Sequence, residues 1–160
     1  MFNLKAEQYL KIILLFSFVA LISAYFIEYV LGHQPCNLCL IERIPYGISV
    51  ILIITILVFK KNQEFLVLLL VLTFIFSLAI SFYHYGIEQG FFQESSICGV
   101  KGFNESITKE DLLRQLNEKI VSCKDVTFRV FGLSLTSINI VISSIFTITL
   151  LKIFFKYEEN

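Results

Sequence analysis

The sequence predicts an all-α integral membrane protein: one membrane domain over residues 1–160, built as a four-transmembrane-helix bundle with a short amphipathic surface helix in its second outer loop. Three observations predict it. The chain is 56% hydrophobic and only 16% charged, and its mean hydropathy of +0.77 excludes the composition of an ordinary soluble domain. Four apolar stretches, approximately residues 10–31, 40–59, 65–85 and 131–155, reach or approach the roughly 20 residues a helix needs to cross a hydrocarbon core of about 30 Å. Between the third and fourth, the chain turns polar from Gly90 to Phe128, which leaves outer loops at about 32–39 and 86–130.

The first stretch follows Lys5 and Lys11, the charge pattern of a secretory signal. Its apolar run is too long for one, however, and ends in Glu28, Tyr29 and Val30 rather than in a small-residue cleavage site. It is therefore read as a retained membrane helix. Gly32, His33, Gln34 and Pro35 then make a turn, because Pro35 disfavours helix at Gln34. His33 reads as a plain interfacial polar residue.

In the second stretch, Tyr46 to Phe59 alone would rise only about 21 Å, too short to span. The membrane must be entered near Leu40, within a turn of Glu42 and Arg43. Charged residues at such a boundary ordinarily snorkel to the headgroups, and Glu42 is read that way. Arg43 carries a further signal: it follows Cys39 by four residues, one helical turn, so the two share a face once the helix has begun. Pro45 is tolerated in a first turn.

The third stretch ends in Phe82-Tyr83-His84-Tyr85-Gly86-Ile87-Glu88. Tyrosines belong in an interfacial belt. His84 and Glu88 are spaced i, i+4 and can face each other, but they are too few to make a metal site by themselves. In the outer loop, Thr108 with Asp111 resembles a capping box, and Ile107, Leu112, Leu113, Leu116, Ile120 and Val121 recur at helical spacing. These predict a helix lying on the membrane surface. Cys98 and Cys123 flank it; a bridge between them would close a loop of about 26 residues, worth roughly 3–4 kcal/mol in the chain-entropy account. In the fourth stretch Gly132, Ser134, Ser137, Asn139 and Ser143 permit close packing and interhelical hydrogen bonds.

Four crossings put both termini on one side. Basic residues are nearly balanced across the membrane, so they do not orient it. Cysteines do: Cys36, Cys39, Cys98 and Cys123 all fall opposite the termini, and an even number of thiols on one face suits an oxidising compartment. The termini are thus expected in the cytoplasm and the cysteine loops in a periplasm.

Cys36-Asn37-Leu38-Cys39 is the stretch on which chemistry centres. At a helix N-terminus the free N–H groups and the macrodipole favour thiolate over thiol, and Arg43 adds a nearby positive charge. Two such pairs on one face allow three readings: two passive staples in a non-catalytic, disulfide-stapled membrane binding protein, a four-cysteine zinc site, or a relay of thiol–disulfide exchange. Zinc is disfavoured by the compartment and by the lack of a second CxxC. A relay accounts best for one pair at the membrane surface beside an arginine and another in a loop that a soluble protein can reach.

Four segments carry a resemblance across nearly the whole chain. They are Cys36-Asn37-Leu38-Cys39 with Arg43, Pro45 and Tyr46; Tyr83 to Gly90; Cys98; and Cys123 followed by Phe131-Gly132-Leu133-Ser134 and Asn139. In kind and order these resemble the DsbB family of quinone-dependent thiol oxidases of the bacterial inner membrane. The similar vitamin K epoxide reductase type places its CxxC last, whereas here it comes first. The resemblance implies that a periplasmic DsbA-like dithiol oxidase attacks at Cys98, that Cys123 exchanges with Cys36, and that Cys39 delivers electrons to a bound quinone, ubiquinone or menaquinone. It also implies that Arg43 sits at the quinone and His84 near the same pocket, with no metal. The chain departs from the familiar pattern in lacking tryptophan and in having a plain, charged outer loop.

Overall fold

A computed structural model describes residues 4–59, 62–94, 98, 121–124, 128–130 and 132–158. Its helices are α1 (Leu4–Tyr29), α2 (Asn37–Phe59), α3 (Gln63–Glu88) and α4 (Leu135–Glu158). Each contains a stretch long and apolar enough to cross a membrane, with mean hydropathy between 1.9 and 2.8. The protein is a four-helix membrane bundle. Residues 107–120 of the predicted surface helix lie outside the described residues; Val121, its last apolar position, is not helical and packs beside Cys98 and Cys123.

The helix limits differ from the sequence reading at both ends: α1 already begins at Leu4 rather than near residue 10, and the other three shift at the outer end. The second helix begins at Asn37 rather than near residue 40, which brings Cys39 inside it and sets Glu42 a full turn from its start. The third runs on to Glu88, carrying His84 and Glu88 in its last turns. The fourth begins only at Leu135, because the residues before it pair as a small antiparallel ladder of β1 (Arg129–Val130) and β2 (Leu133–Ser134). Gly132 turns that ladder at φ 83°, a left-handed conformation that glycine adopts without steric cost.

The helices do not pack equally. α3 lies along α4 most extensively, α2 sits between α1 and α3, and α1 and α4 barely touch. A seam is therefore left between α1 and α4, with α2 behind it. Large apolar side chains such as Ile12, Leu15, Phe18, Ile51 and Phe82 lie exposed on the outside, as a lipid-facing surface requires.

Inside, the bundle changes character along its length. Toward the termini, Leu10, Ile53, Leu70, Phe74 and Leu150 form a buried apolar cluster, in which the Phe74 and Phe146 rings meet edge to face at 5.2 Å. At mid-depth hydroxyls pair across helices: Ser49 donates to Ser17 at 3.1 Å, and Ser77 pairs with Ser143 at 3.1 Å. These are the small-residue contacts that let membrane helices approach closely. Farther out the interior becomes ionisable.

Candidate functional site

Pro35 ends the turn after α1, and Cys36 caps α2. The Cys36 carbonyl accepts the Leu40 N–H at 3.2 Å, while its Sγ accepts the Cys39 N–H at 3.3 Å, as an oxygen side chain does at an ordinary N-cap. One turn on, Cys39 Sγ lies 2.8 Å from Cys36 Sγ. Cys36 is buried and Cys39 half-buried. Hydrogen bonding from the Cys39 thiol, reinforced by the His84 ring, holds the Cys36 thiol well below its ordinary range against the opposing effect of burial. Cys36 is thus the thiolate of the pair.

His84, which the resemblance put near the quinone pocket, is instead at the CxxC: its Nε2 is 3.6 Å from Cys36 Sγ, and it is not among the residues that line the cavity. On the other side of the ring, Nδ1 lies 2.9 Å from Glu42 Oε1. A carboxylate only accepts, so Nδ1 carries a proton toward Glu42; Nε2 then donates to the Cys36 thiolate when the ring is protonated and accepts from the thiol when it is neutral. Glu42 does not snorkel: it is 9% exposed. Because α2 starts early, Glu42 is a full turn inside the helix and faces α3 and α4, where Asn139 Nδ2 also donates to it at 3.2 Å.

The network continues beyond that carboxylate. Asn139 Nδ2 donates to Ser81 at 2.7 Å, and Tyr46 donates its hydroxyl to Asn139 Oδ1. Thr136 donates to Glu88 Oε1 at 2.6 Å, and that same oxygen is 3.9 Å from His84 Nε2. Asn139 is therefore more than packing glue: it ties α4 to the carboxylate that orients His84. Glu42 had one signal in the sequence, its position three residues after Cys39, which puts it on a neighbouring strip of the helix. Asn139 read only as interhelical glue and as a position carrying the resemblance, and Thr136 had no signal.

Arg43 pairs with Glu28 of α1, and its guanidinium lies 5.2 Å from the Tyr25 ring centre, within cation–π range. Neither partner was singled out in the sequence. Their spacing, three residues apart on α1, turns both toward α2.

Cys98 and Cys123 form a disulfide, with Cα atoms 5.6 Å apart. The expectation of a pair open to a soluble protein does not hold for this conformation: Cys98 is 0% and Cys123 2% exposed. Both pack in one apolar cluster with Cys36, Leu38 and Ile87, flanked by Tyr83 and Val121. Next to it, Glu94 accepts the Lys124 N–H at 2.9 Å and the Ser122 hydroxyl, which holds residues 121–124 against the end of α3. Phe92 stacks on Tyr83 at 5.7 Å and lies directly over Gly86, where a Cβ would collide with its ring.

The α1–α4 seam opens into a cavity of about 370 Å³, into which Cys39, Glu42, Arg43 and Tyr46 look from α2. Ala20 and Ala24 of α1 give it width, and Ile138 and Ile142 of α4 wall the far side. His33, read from the sequence as a plain interfacial residue, stands at the cavity with Phe128, ring centres 5.3 Å apart. Volume and lining fall within the range of a small-molecule site, apolar with a few convergent polar groups.

This architecture has a counterpart among known families. The family described as disulfide bond formation protein DsbB matches residues 6–153. The chain belongs to the DsbB family. An uncharacterized protein of Rickettsia prowazekii (strain Madrid E) is 28% identical over 162 residues, covering 98% of this chain and 94% of the relative. No solved structure matches the chain. As a member of the family it is a multi-pass membrane oxidoreductase of disulfide-bond formation.

Proposed function

We propose that the chain reoxidises a periplasmic, thioredoxin-fold dithiol protein of the DsbA type and passes the electrons through Cys98–Cys123 and then Cys36–Cys39 to a membrane quinone, ubiquinone or menaquinone. It would do so in a bacterial inner membrane, with both termini cytoplasmic and the cysteine loops periplasmic. One observation carries this reading: the CxxC lies between two environments, with Cys36 packed beside the loop disulfide and Cys39 looking with Arg43 into the apolar cavity.

Thiol–disulfide exchange supplies the steps. A partner thiolate attacks Cys98, Cys123 leaves as thiolate, and the partner's second thiolate displaces Cys98, so the partner is oxidised and the loop pair reduced. Cys123 then attacks Cys36 of the inner disulfide and Cys39 leaves as thiolate; Cys98 attacks Cys123, re-forming the loop disulfide and releasing Cys36. Two electrons now rest on Cys36 and Cys39. His84 Nε2 is placed to take or return the proton at Cys36 Sγ, and Glu42 keeps the ring in that orientation.

The cavity fits a quinone ring: its walls are mostly apolar, and a thiol and a guanidinium share one side. A bound quinone would accept two electrons and two protons. Arg43 would hold it, and its charge would stabilise both the Cys39 thiolate and negative charge gathering on the ring. Glu28 and Tyr25 keep the guanidinium on that wall. Because a DsbA-type partner is itself a strong oxidant, with every 30 mV of mismatch costing about 1.4 kcal/mol, withdrawal of electrons at the cavity is what pulls exchange forward.

The burial of Cys98 and Cys123 favours a second reading, a stapled membrane binding protein without turnover. An assay of the purified protein with a short-chain quinone and a reduced DsbA-like protein, followed by quinone absorbance, separates the two. Quinone reduction that requires the dithiol partner and is abolished by Cys39→Ser, with apparent quinone affinity weakened by Arg43→Ala, supports the relay. No quinone reduction, with both cysteine pairs left unchanged by the partner, leaves the staple.

A further inference from the structure

The relay uses Cys36 and Cys39 as electron carriers, but their surroundings carry a second chemistry. Cys36 Sγ, Cys39 Sγ and a ring nitrogen of His84 all lie within 4.8 Å of one another. Two thiolates and an imidazole are the donor set that borderline-soft divalent cations take in tetrahedral sites. The sequence hides this site, because His84 lies 48 residues from Cys36 and shows no metal spacing to the CxxC.

Three features beyond the donor set point to a cation. His84 presents Nε2 to the sulfur while its Nδ1 is held by Glu42, the carboxylate–histidine arrangement that orients an imidazole toward a metal and raises its basicity. Glu88 Oε1 stands 3.9 Å from the same Nε2. Glu88 Oε2 is, among the described residues, the buried side-chain oxygen left without a hydrogen-bond partner, and a buried carboxylate oxygen without a donor calls for positive charge. Arg43 does not oppose a cation with its full charge, because Glu28 is paired with it.

We propose that, when both are reduced, Cys36 and Cys39 join His84 in a site for a divalent cation of the zinc class, with Glu88 as the donor for the fourth position. Binding displaces the remaining thiol protons and requires the two sulfurs, 2.8 Å apart, to spread around the ion. A filled site withholds both thiolates from exchange, so the cation arrests the protein at its reduced stage. The oxidised pair offers no thiolate and does not bind. Metal binding of this kind does not depend on quinone turnover, and the two fail separately.

The test uses a Cys98→Ser, Cys123→Ser chain in detergent, so that the inner pair alone supplies thiols. The chain is reduced with a phosphine and titrated anaerobically with Co²⁺. The expected result is a thiolate-to-cobalt charge-transfer band with the visible bands of a tetrahedral site, saturating at one ion per chain, displaced by Zn²⁺, and absent after oxidation of the CxxC. Glu42→Gln should weaken Co²⁺ by about 10- to 100-fold, and His84→Ala and Glu88→Gln by at least as much. In the unaltered chain, Zn²⁺ should raise the unfolding temperature only after reduction, and not in His84→Ala. Co²⁺ bound with equal affinity by His84→Ala or by the oxidised pair, or no saturable band together with no Zn²⁺ effect on unfolding, overturns the proposal.

Discussion

The two ends of this bundle are made from the same four helices and held together differently. Toward the termini, Leu10, Ile53, Leu70, Phe74 and Leu150 meet as bare apolar surface. Toward the CxxC, Glu42, His84, Ser81, Tyr46 and Asn139 meet through hydrogen bonds. In lipid an apolar side chain gains little from moving off the tails onto a neighbouring helix, so the first end relies on dispersion and close fit. The second end relies on directional contacts that have few alternatives in a low-dielectric interior. The apolar end therefore tolerates changes of shape, while the polar end sets the position of individual atoms.

Glu42→Leu is the strongest way to break that contrast. It leaves the His84 Nδ1–H and Asn139 Nδ2 without their carboxylate, at about 1–3 kcal/mol for each buried group left unpaired. Turnover should fall about 100-fold, the scale of a lost general acid–base arrangement. Comparable turnover in this variant and the native chain would mean that His84 needs no positioning.

The next effect is on pH dependence. With its pKa depressed, Cys36 in the reduced protein should remain thiolate as pH falls through the ordinary thiol range near 8.5, losing reactivity only well below it. Alkylation rate against pH reads this directly. His84→Ala should move the midpoint upward, since the ring is one of the groups that favours the thiolate. By the same sign, the reduced fold gains stability from this group as pH rises from the depressed value toward the ordinary one, and loses it on acidification.

Phe74→Leu tests the apolar end. It removes the edge-to-face contacts with Phe146 and Tyr46 and should cost about 1 kcal/mol of stability, read as a lower unfolding temperature in detergent, with turnover close to native. Smallest is Ser17→Ala, which deletes the hydroxyl that accepts from Ser49; about 0.6 kcal/mol is expected for such an interhelical bond. A large loss of turnover in either variant would show the two ends to be coupled.

Much of this molecule is legible in the chain because the signals are local. Roughly 20 apolar residues in a row must cross or be buried, so four spans follow from length and hydropathy alone. Pro35 before Cys36 places the CxxC at a helix start, and a four-residue step puts Arg43 on the face of Cys39. The outer limits of the helices were less legible: residues 129–134 form a short ladder where apolar character alone extended the fourth helix.

What tertiary structure alone decided is how each helix is turned about its axis. α1 and α4 are apolar nearly all round, so no period separates a lipid-facing side from an inward one. Glu28 therefore gave no sign that it would meet Arg43, nor Asn139 that it would reach Glu42 across 97 residues of chain. Glu42 read as an interfacial charge because its surroundings in sequence are those of one. It is an interior carboxylate because α3 and α4 supply His84 and Asn139 at the depth where it enters the bundle, and a buried charge is stable only where donors meet it.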